Sequence, residues 1–468
     1  MKFRIKIIST FFALIISIFF IYPTSLAYAT TLNNSTTSSD TSNTTIASSN
    51  NNMETTSDSS NSAEPSIIGK SAIVINYNTG EILYSKNMDA KEYPASTTKI
   101  MTSILFAENK NPNDTITYTK SASEQPANSL LVNYNLLNVG DTMQAGEVMK
   151  AMFLISANDC AYMEADSVAG NKDAFADLMN AEVKKLGLKG THFTNPNGLF
   201  NVDNYSTAYD MSVIVRKAFS IPWIREAMGT KEATITASTG KSVVLTSDNK
   251  NLGIDGCIGG KTGYLPDHGR DLVNVYERNG ETLIGVIYND IWGKNDTDVF
   301  NDMKKIINYA YSEKQTLYKA KGTIVDGKVT YKLFGFFGPT KTINVPFTLN
   351  EDVYYYAIPI NQKDFTIKAD TSDTNAWTLA TNPTSAKILV SDGRQYNQTY
   401  ASTANITLWQ IICANLVIYI ISAVIAIIII LIILALIIRT INKSRRKKRK
   451  NKKQKWLDSS SNHFLIIN

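Results

Sequence analysis

Twenty-eight consecutive residues, Ile411 to Ile438, carry no charge and are almost wholly Ile, Leu, Val and Ala. A helix needs about 20 such residues to cross a bilayer, so this run is long enough to span, with some tilt. Arg439 and then "NKSRRKKRKNKKQK", from Asn442 to Lys455, follow it directly. Basic flanks of this kind stay in the cytoplasm, so the expected topology keeps a short tail inside and exports what precedes the span. Contact with anionic inner-leaflet lipids is a second reading of the block; a pure topology signal accounts for it equally well. The start of the chain agrees. Lys2, Arg4 and Lys6 precede an apolar run from Ile7 to about Tyr22, and Ala27-Tyr28-Ala29 fits a small-residue cleavage site. Residues 1–29 therefore read as a secretory signal peptide; the apolar run is short for the alternative, an uncleaved anchor.

This topology changes how the charge is read. Of the formal +6, the signal segment holds +3 and residues 439–468 hold +10, which leaves −7 for residues 30–438. An acidic exported body argues against a nucleic-acid partner, which would need a basic face. Only Cys160, Cys257 and Cys413 are present, and Cys413 lies at the edge of the span. At most one disulfide, Cys160 to Cys257, is open to the exported part, and two free buried thiols are the favoured alternative. The body must be held by an ordinary core.

Residues 30–66 are a Ser/Thr/Asn-rich spacer whose first part has hardly a large apolar side chain, a composition expected to stay disordered. The fold is expected from Ile67. "SAIVINYNTGEILYSKN" reads as strand, turn and strand, and "KIMTSILFAEN" as a helix. Helical patterns recur at "AGEVMKAMFLISANDCAYMEADSVAG", "KDAFADLMNAEVKKLGL" and "VFNDMKKIINYAYSE". Strands are expected around "ITASTGKSVVLTS", "GGKTGYL", "GRDLVNVYERNG" and "ETLIGVIYND". Strands at both ends with helices between them predict an α+β domain over 67–316. From 317 to 405, alternating apolar and polar residues with Gly/Pro breaks predict a small β-rich domain. The span is placed at 410–438 and the basic tail at 439–468.

Ser-x-x-Lys occurs four times, starting at Ser96, Ser238, Ser247 and Ser444. Ser238 and Ser247 lie in or beside strand-like sequence, and Ser444 lies in the basic tail. Ser96 alone precedes a helix, which would bring Lys99 to the same face one turn on. A lysine acts as a base only when neutral, which at neutral pH needs a pKa well below about 10.4. Burial and a second cation both push that way, so the reading predicts another positive group beside Lys99 and a polar side chain to relay the proton. Ser156-Ala157-Asn158, in an apolar helical context, is the candidate relay. Lys261-Thr262-Gly263, the only Lys-Thr-Gly in the sequence, is the candidate second cation, its Gly263 leaving room for a ligand backbone. No Gly-x-Ser-x-Gly or His-Glu-x-x-His is present, so neither a Ser-His-Asp hydrolase nor a zinc peptidase has its context.

Ser-x-x-Lys, Ser-x-Asn and Lys-Thr-Gly in that order, with "YPASTTKIMT", "LISANDCA", "LGLKGTHFTNPNGL", "YSTAYDMSVI" and "GGKTGY", resemble the low-molecular-weight penicillin-binding D-alanyl-D-alanine carboxypeptidases. The resemblance covers about Ile67 to Glu313. It implies a serine β-lactamase/transpeptidase-like domain with an antiparallel sheet and a helical cluster, then the family's β-rich second domain. It further implies Ser96 as nucleophile, Lys99 as its base and Ser156 as proton relay. Asn158 would hold Lys99 and the substrate amide, and Lys261 and Thr262 the terminal carboxylate. Gly263 would line the site, and the backbone N–H groups of Ser96 and Tyr264 would form the oxyanion hole. The implied substrate is a peptidoglycan stem peptide ending in D-Ala-D-Ala, with β-lactams as inhibitors and neither metal nor cofactor. The implied location is the cell membrane, with the enzyme outside; the spacer and single span suggest a Gram-positive cell.

Three positions depart from the family's pattern. Asn204 stands where members commonly have His, and "LPDHGRD" follows Tyr264 where Thr and an Ala-Gly pair are usual. An arginine that many members carry before the last helix is replaced by "NDIWGKNDTDVF", whose one cation is Lys294. A β-lactam hydrolase on the same fold, or a membrane-tethered wall-binding or β-lactam-sensing protein, are the alternatives.

Overall fold

The computed structural model describes residues 63–293 and 295–464. The expected signal peptide, nearly all of the spacer and Lys294 lie outside the described residues.

Five strands form the central sheet: β1 (Ser71–Asn76), β2 (Ile82–Lys86), β3 (Cys257–Leu265), β4 (Gly269–Arg278) and β5 (Glu281–Asp290). They run antiparallel in the order β2-β1-β5-β4-β3, which leaves β3, the strand bearing Lys-Thr-Gly, at an edge. The first hairpin turns where Asn76 Oδ1 accepts from the N–H groups of Asn78 and Thr79, a local bond that competes with strand continuation. The strand and turn expectations for β1 to β5 match these elements.

One face of the sheet packs on a helical cluster: α1 (Lys99–Asn109), α2 (Ala145–Leu154), α3 (Asn158–Ala169), α4 (Lys172–Lys185), α5 (Ala208–Phe219) and α6 (Pro222–Gly229). The other face carries α7 (Asp298–Ser312), whose Val299, Phe300, Met303, Ile306 and Ile307 repeat at helical spacing and are buried. Side-chain caps fix the starts of α4 and α5. Asn171 accepts from the N–H groups of Asp173 and Ala174, and Thr207 from that of Asp210.

The sequence reads one helical pattern through "AGEVMKAMFLISANDCAYMEADSVAG", but the chain breaks at Ile155–Ala157 into α2 and α3. Ser156 sits there with a left-handed φ of 60°, a conformation that costs a non-glycine residue about 1 kcal/mol or more. Helices α5 and α6 have no counterpart in the sequence reading. Helix α6 is short, at eight residues, while α5 is as long as α3 and buried along almost all of its length.

The second domain holds β6 (Ile324–Lys332), β7 (Thr340–Leu349), β8 (Thr366–Asp370), β9 (Lys387–Ser391) and β10 (Asn397–Ala404), antiparallel in the order β6-β7-β10-β9-β8. The sheet curls until β6 and β8 pack together, close enough that a Cβ on Gly327 would meet that of Ala369 at 2.6 Å. The strands are as expected, though two short helices, Pro359–Asp364 and Ala376–Thr381, interrupt them. Ile411, where the uncharged run begins in sequence, lies in α8 (Leu408–Cys413) and is fully buried in the core of this domain. The long helix α9 starts at Leu416 and reaches Phe464. It is the one described helix long and apolar enough to cross a membrane.

Candidate active site

Ser96 lies on a single 3-10 turn, Ala95–Thr98, that runs straight into α1. Ala95 before it has a left-handed φ of 44°. Two glycines make that turn fit. A Cβ on Gly198 would run into the Ala95 carbonyl, and one on Gly263 would stand 3.2 Å from Ala95 Cβ and 3.0 Å from Asp271 Cβ. The edge strand β3 and the Asn197-Gly198 loop thus close on the serine from two sides, and Ser96 itself remains half-buried.

Lys99, the first residue of α1, is fully buried. Its Nζ lies 2.9 Å from Ser96 Oγ, 3.0 Å from Asn158 Oδ1 and 2.6 Å from the Asn197 carbonyl oxygen. The Asn158 amide is oriented by its other end, where Nδ2 donates to the Ala127 carbonyl at 2.8 Å, so Oδ1 faces the lysine. Two of the three partners are therefore acceptors only. A neutral amine gives each of them one N–H and keeps its lone pair for the third, the Ser96 hydroxyl. Burial pushes the Lys99 amine well below its ordinary range, and the nearby Lys261 charge pushes it the same way.

Lys261 is buried on β3, where its Nζ donates to the Thr262 carbonyl at 2.9 Å. Burial lowers its pKa to about 8; Asp248 opposes that shift and Arg270 adds to it. Ser156 Oγ is buried and has no hydrogen-bond partner among the described residues. It sits in the break between α2 and α3, two residues ahead of Asn158 at the start of α3. Thr262 is buried beside Lys261, and Tyr264 is exposed with its ring edge-on to Trp292, centroids 4.1 Å apart.

The turn beyond Tyr264 is an ordered hairpin between β3 and β4, with Leu265 paired to Gly269. His268 at its tip packs on Tyr93 and stacks on Phe200, ring centroids 4.4 and 5.5 Å away. Asn204 is buried; its Oδ1 accepts from Thr194 N–H at 3.1 Å and its Nδ2 donates to Thr98 Oγ1 at 3.5 Å. Cys160 and Cys257 are both free thiols, buried, with their pKa values raised chiefly by that burial.

The structure adds three residues that sequence reasoning missed. Asn197 supplies a main-chain carbonyl, which no residue letter announces, although the quoted "NPNG" carries it. Glu164, on α3, is fully buried with neither carboxylate oxygen hydrogen-bonded among the described residues, and its pKa is raised well above the usual range by burial. Arg270 reaches from β4 into the segment that lacks an arginine of its own. There its guanidinium donates to both Asp296 carboxylate oxygens, at 2.7 and 2.6 Å, and lies 4.3 Å over the Trp292 ring. A half-exposed serine hydroxyl therefore meets a buried amine, with a second buried cation close enough to act on that amine, an arrangement that suits acyl transfer chemically.

Residues 56–291 match the family model described as D-alanyl-D-alanine carboxypeptidase, Peptidase_S11. The chain is 31% identical over 266 residues to a protein of that name from Bacillus subtilis, covering 56% of this chain and 67% of the relative. It is 30% identical over 263 residues to the D-alanyl-D-alanine carboxypeptidase of Streptomyces sp. strain K15, covering 53% of this chain and 89% of the relative. Among solved structures, an evolved penicillin-binding protein homolog from Mycobacterium tuberculosis superposes with a TM-score of 0.50 at 22% identity, over 53% of this chain and 94% of that one. That last likeness speaks for the fold alone.

Proposed function

The chain belongs to the D-alanyl-D-alanine carboxypeptidase family of serine hydrolases, and from that premise we propose how its own residues remove a terminal D-Ala from peptidoglycan stem peptides. Ser96 Oγ attacks the carbonyl of the penultimate D-Ala while its proton passes to the neutral Lys99 amine. The oxygen of that carbonyl takes up negative charge and accepts from the backbone N–H groups of Ser96 and Tyr264. Ser156 relays the proton to the nitrogen of the departing D-Ala, leaving an ester on Ser96. Water adds to that ester, Ser96 recovers its proton, and the shortened peptide is released. Asn158 holds Lys99 and the substrate amide. Lys261 and Thr262 bind the terminal carboxylate, and Gly263 leaves space for the peptide to lie along β3. A β-lactam acylates the same serine. Anchoring follows from α9, which spans the membrane with the enzyme outside and the basic tail in the cytoplasm.

One observation carries this reading: the fully buried Lys99 amine meets two acceptor-only partners and the half-exposed Ser96 hydroxyl. Labelling with a fluorescent penicillin and D-Ala release from a pentapeptide test it together. Both should be present in the native chain and absent from Ser96→Ala. Labelling that survives Ser96→Ala would remove Ser96 as the nucleophile, and normal labelling without D-Ala release would argue for a sensor or a lactamase.

A further inference from the structure

The hairpin between β6 and β7 is "LFGFFGP", Leu333 to Pro339, and it holds its aromatic residues out of the protein. Phe336 is 89% exposed and Phe337 54% exposed. Gly335 and Gly338, with φ of 83° and 93°, supply the left-handed backbone that so tight a tip requires. Phe334 stacks on Phe337 with centroids 5.0 Å apart, and Phe336 packs on Phe337 at the same distance. Three phenylalanines thus form one apolar tip rather than scattered surface residues. Such patches on a soluble face mark a contact with something apolar.

The occupant is indicated by what the tip touches. Phe334 meets the ring of Tyr419 edge-on at 5.7 Å, and Tyr419 OH donates to the Leu333 carbonyl at 2.5 Å. Tyr419 belongs to the first turn of α9, which begins at Leu416. At about 1.5 Å of rise per residue, the hairpin is level with the point where the span begins. That is the depth at which aromatic residues collect at membrane interfaces. Leu408 and Trp409 of α8, 40% and 67% exposed, lie one short helix earlier in the chain. From Gly327 to Leu349 the only charged residues are lysines, Lys328, Lys332 and Lys341, so no carboxylate on β6 or β7 near the tip opposes an anionic lipid surface.

We propose that the Phe334–Phe337 hairpin, with Trp409, dips into the outer headgroup and acyl boundary of the membrane that α9 crosses, a second apolar foot that holds the β-rich domain against the bilayer. This rests on reading α9 as a span. The test uses the full chain with Cys413→Ser, reconstituted in phosphatidylglycerol/phosphatidylethanolamine vesicles. An environment-sensitive dye is attached through Phe336→Cys, through Thr239→Cys on an exposed turn of the enzyme domain, or through Ile428→Cys within α9. Spin-labelled lipids quench it from the headgroup level or from deep in the acyl chains. The dye at position 336 should be quenched several-fold more than that at 239, and more by the shallow label than by the deep one; the dye at 428 should show the reverse depth preference. A dye at 336 quenched no more than at 239, while 428 is quenched from deep, overturns the hairpin and leaves the span standing. Loss of quenching at 428 overturns both. A blue shift at 336 that follows protein density rather than spin label would assign the patch to a second copy and overturn the proposal too. D-Ala release from soluble pentapeptide, followed in the same samples, should be unchanged by the labels and reports separately on the active site.

Discussion

Lys99 and Lys261 are both buried, yet the proposed mechanism needs them in opposite states: Lys99 neutral, to take a proton, and Lys261 charged, to hold a carboxylate. Burial lowers both pKa values, and the charge on Lys261 lowers that of Lys99 further. With the pKa of Lys261 at about 8, raising the pH through that value discharges the carboxylate clamp. A charge-assisted hydrogen bond is worth about 1.5–3 kcal/mol, so kcat/KM for a free-carboxylate peptide should fall about 10- to 100-fold along an alkaline limb centred near that pH. Lys261→Arg keeps its charge and should move the limb to higher pH; a limb that stays where it was would remove Lys261 from the carboxylate. On the acid side the sign is opposite. Activity should fall as Lys99 takes a proton, because an ammonium has no lone pair to offer Ser96. The meeting of Ser96, Lys99 and Asn158 was legible in the sequence because the Ser-x-x-Lys and Ser-x-Asn strings carry those side chains. The Asn197 carbonyl was not, since every residue has one, and neither was Arg270, whose meeting with Asp296 spans 26 residues.

At the scale of elements, the break between α2 and α3 matters most. Neither glycine nor proline marks it, so the pattern on either side reads as one helix; the short string Ser-Ala-Asn is its only trace. Breaking there gives Ser156 its left-handed backbone and makes Asn158 the first residue of α3, with Glu164 fully buried farther along the same helix. Burial holds the Glu164 carboxyl well above its ordinary 4.5, against the opposing Lys99 charge, so the fold keeps its proton to a higher pH than the unfolded chain does. The unfolded chain then binds fewer protons than the native one, and this group lowers stability as pH rises above 4.5 toward its native pKa. Glu164→Gln removes that dependence. Its melting temperature, compared with that of the native chain, should gain steadily from pH 4.5 to neutrality; curves that stay parallel would mean the carboxyl ionises in place. The central strands were legible because apolar alternation and Asn/Gly turns bound them. Helix α5 keeps an amphipathic pattern, with Arg216 and Lys217 part-exposed in its last turn, yet the sequence reading passed over it.

At the scale of the whole molecule, the two domains and the long helix are joined without slack. Tyr356 N–H donates to Glu81 at 2.7 Å and Asn361 Nδ2 to the Ile82 carbonyl at 2.8 Å, tying the β-rich domain to β2. Arg394 makes two hydrogen bonds to Asp89, at 2.8 and 2.9 Å. At the other end Asn415 Nδ2 donates to Tyr331 OH at 2.6 Å, one residue before α9 begins. Composition cannot find this boundary. Ile411 and the isoleucines of α9 are alike in sequence, but Ile411 is fully buried among protein side chains while those of α9 face outward. The β-rich domain should therefore need α8. A chain of residues 63–415 should melt as one well-packed body, whereas one of residues 63–405 loses Ile406 and Ile411 from the core. Removing a buried isoleucine costs about 2–5 kcal/mol. For a domain of this size each kcal/mol lowers the melting temperature by about 4–8 °C, so the shorter chain should melt at least about 10 °C lower, with its β-rich domain unfolding first. Equal melting temperatures would show that α8 is a mere lead-in to the span. A large difference would mean that α8, although it opens the uncharged run, belongs to the core of the β-rich domain.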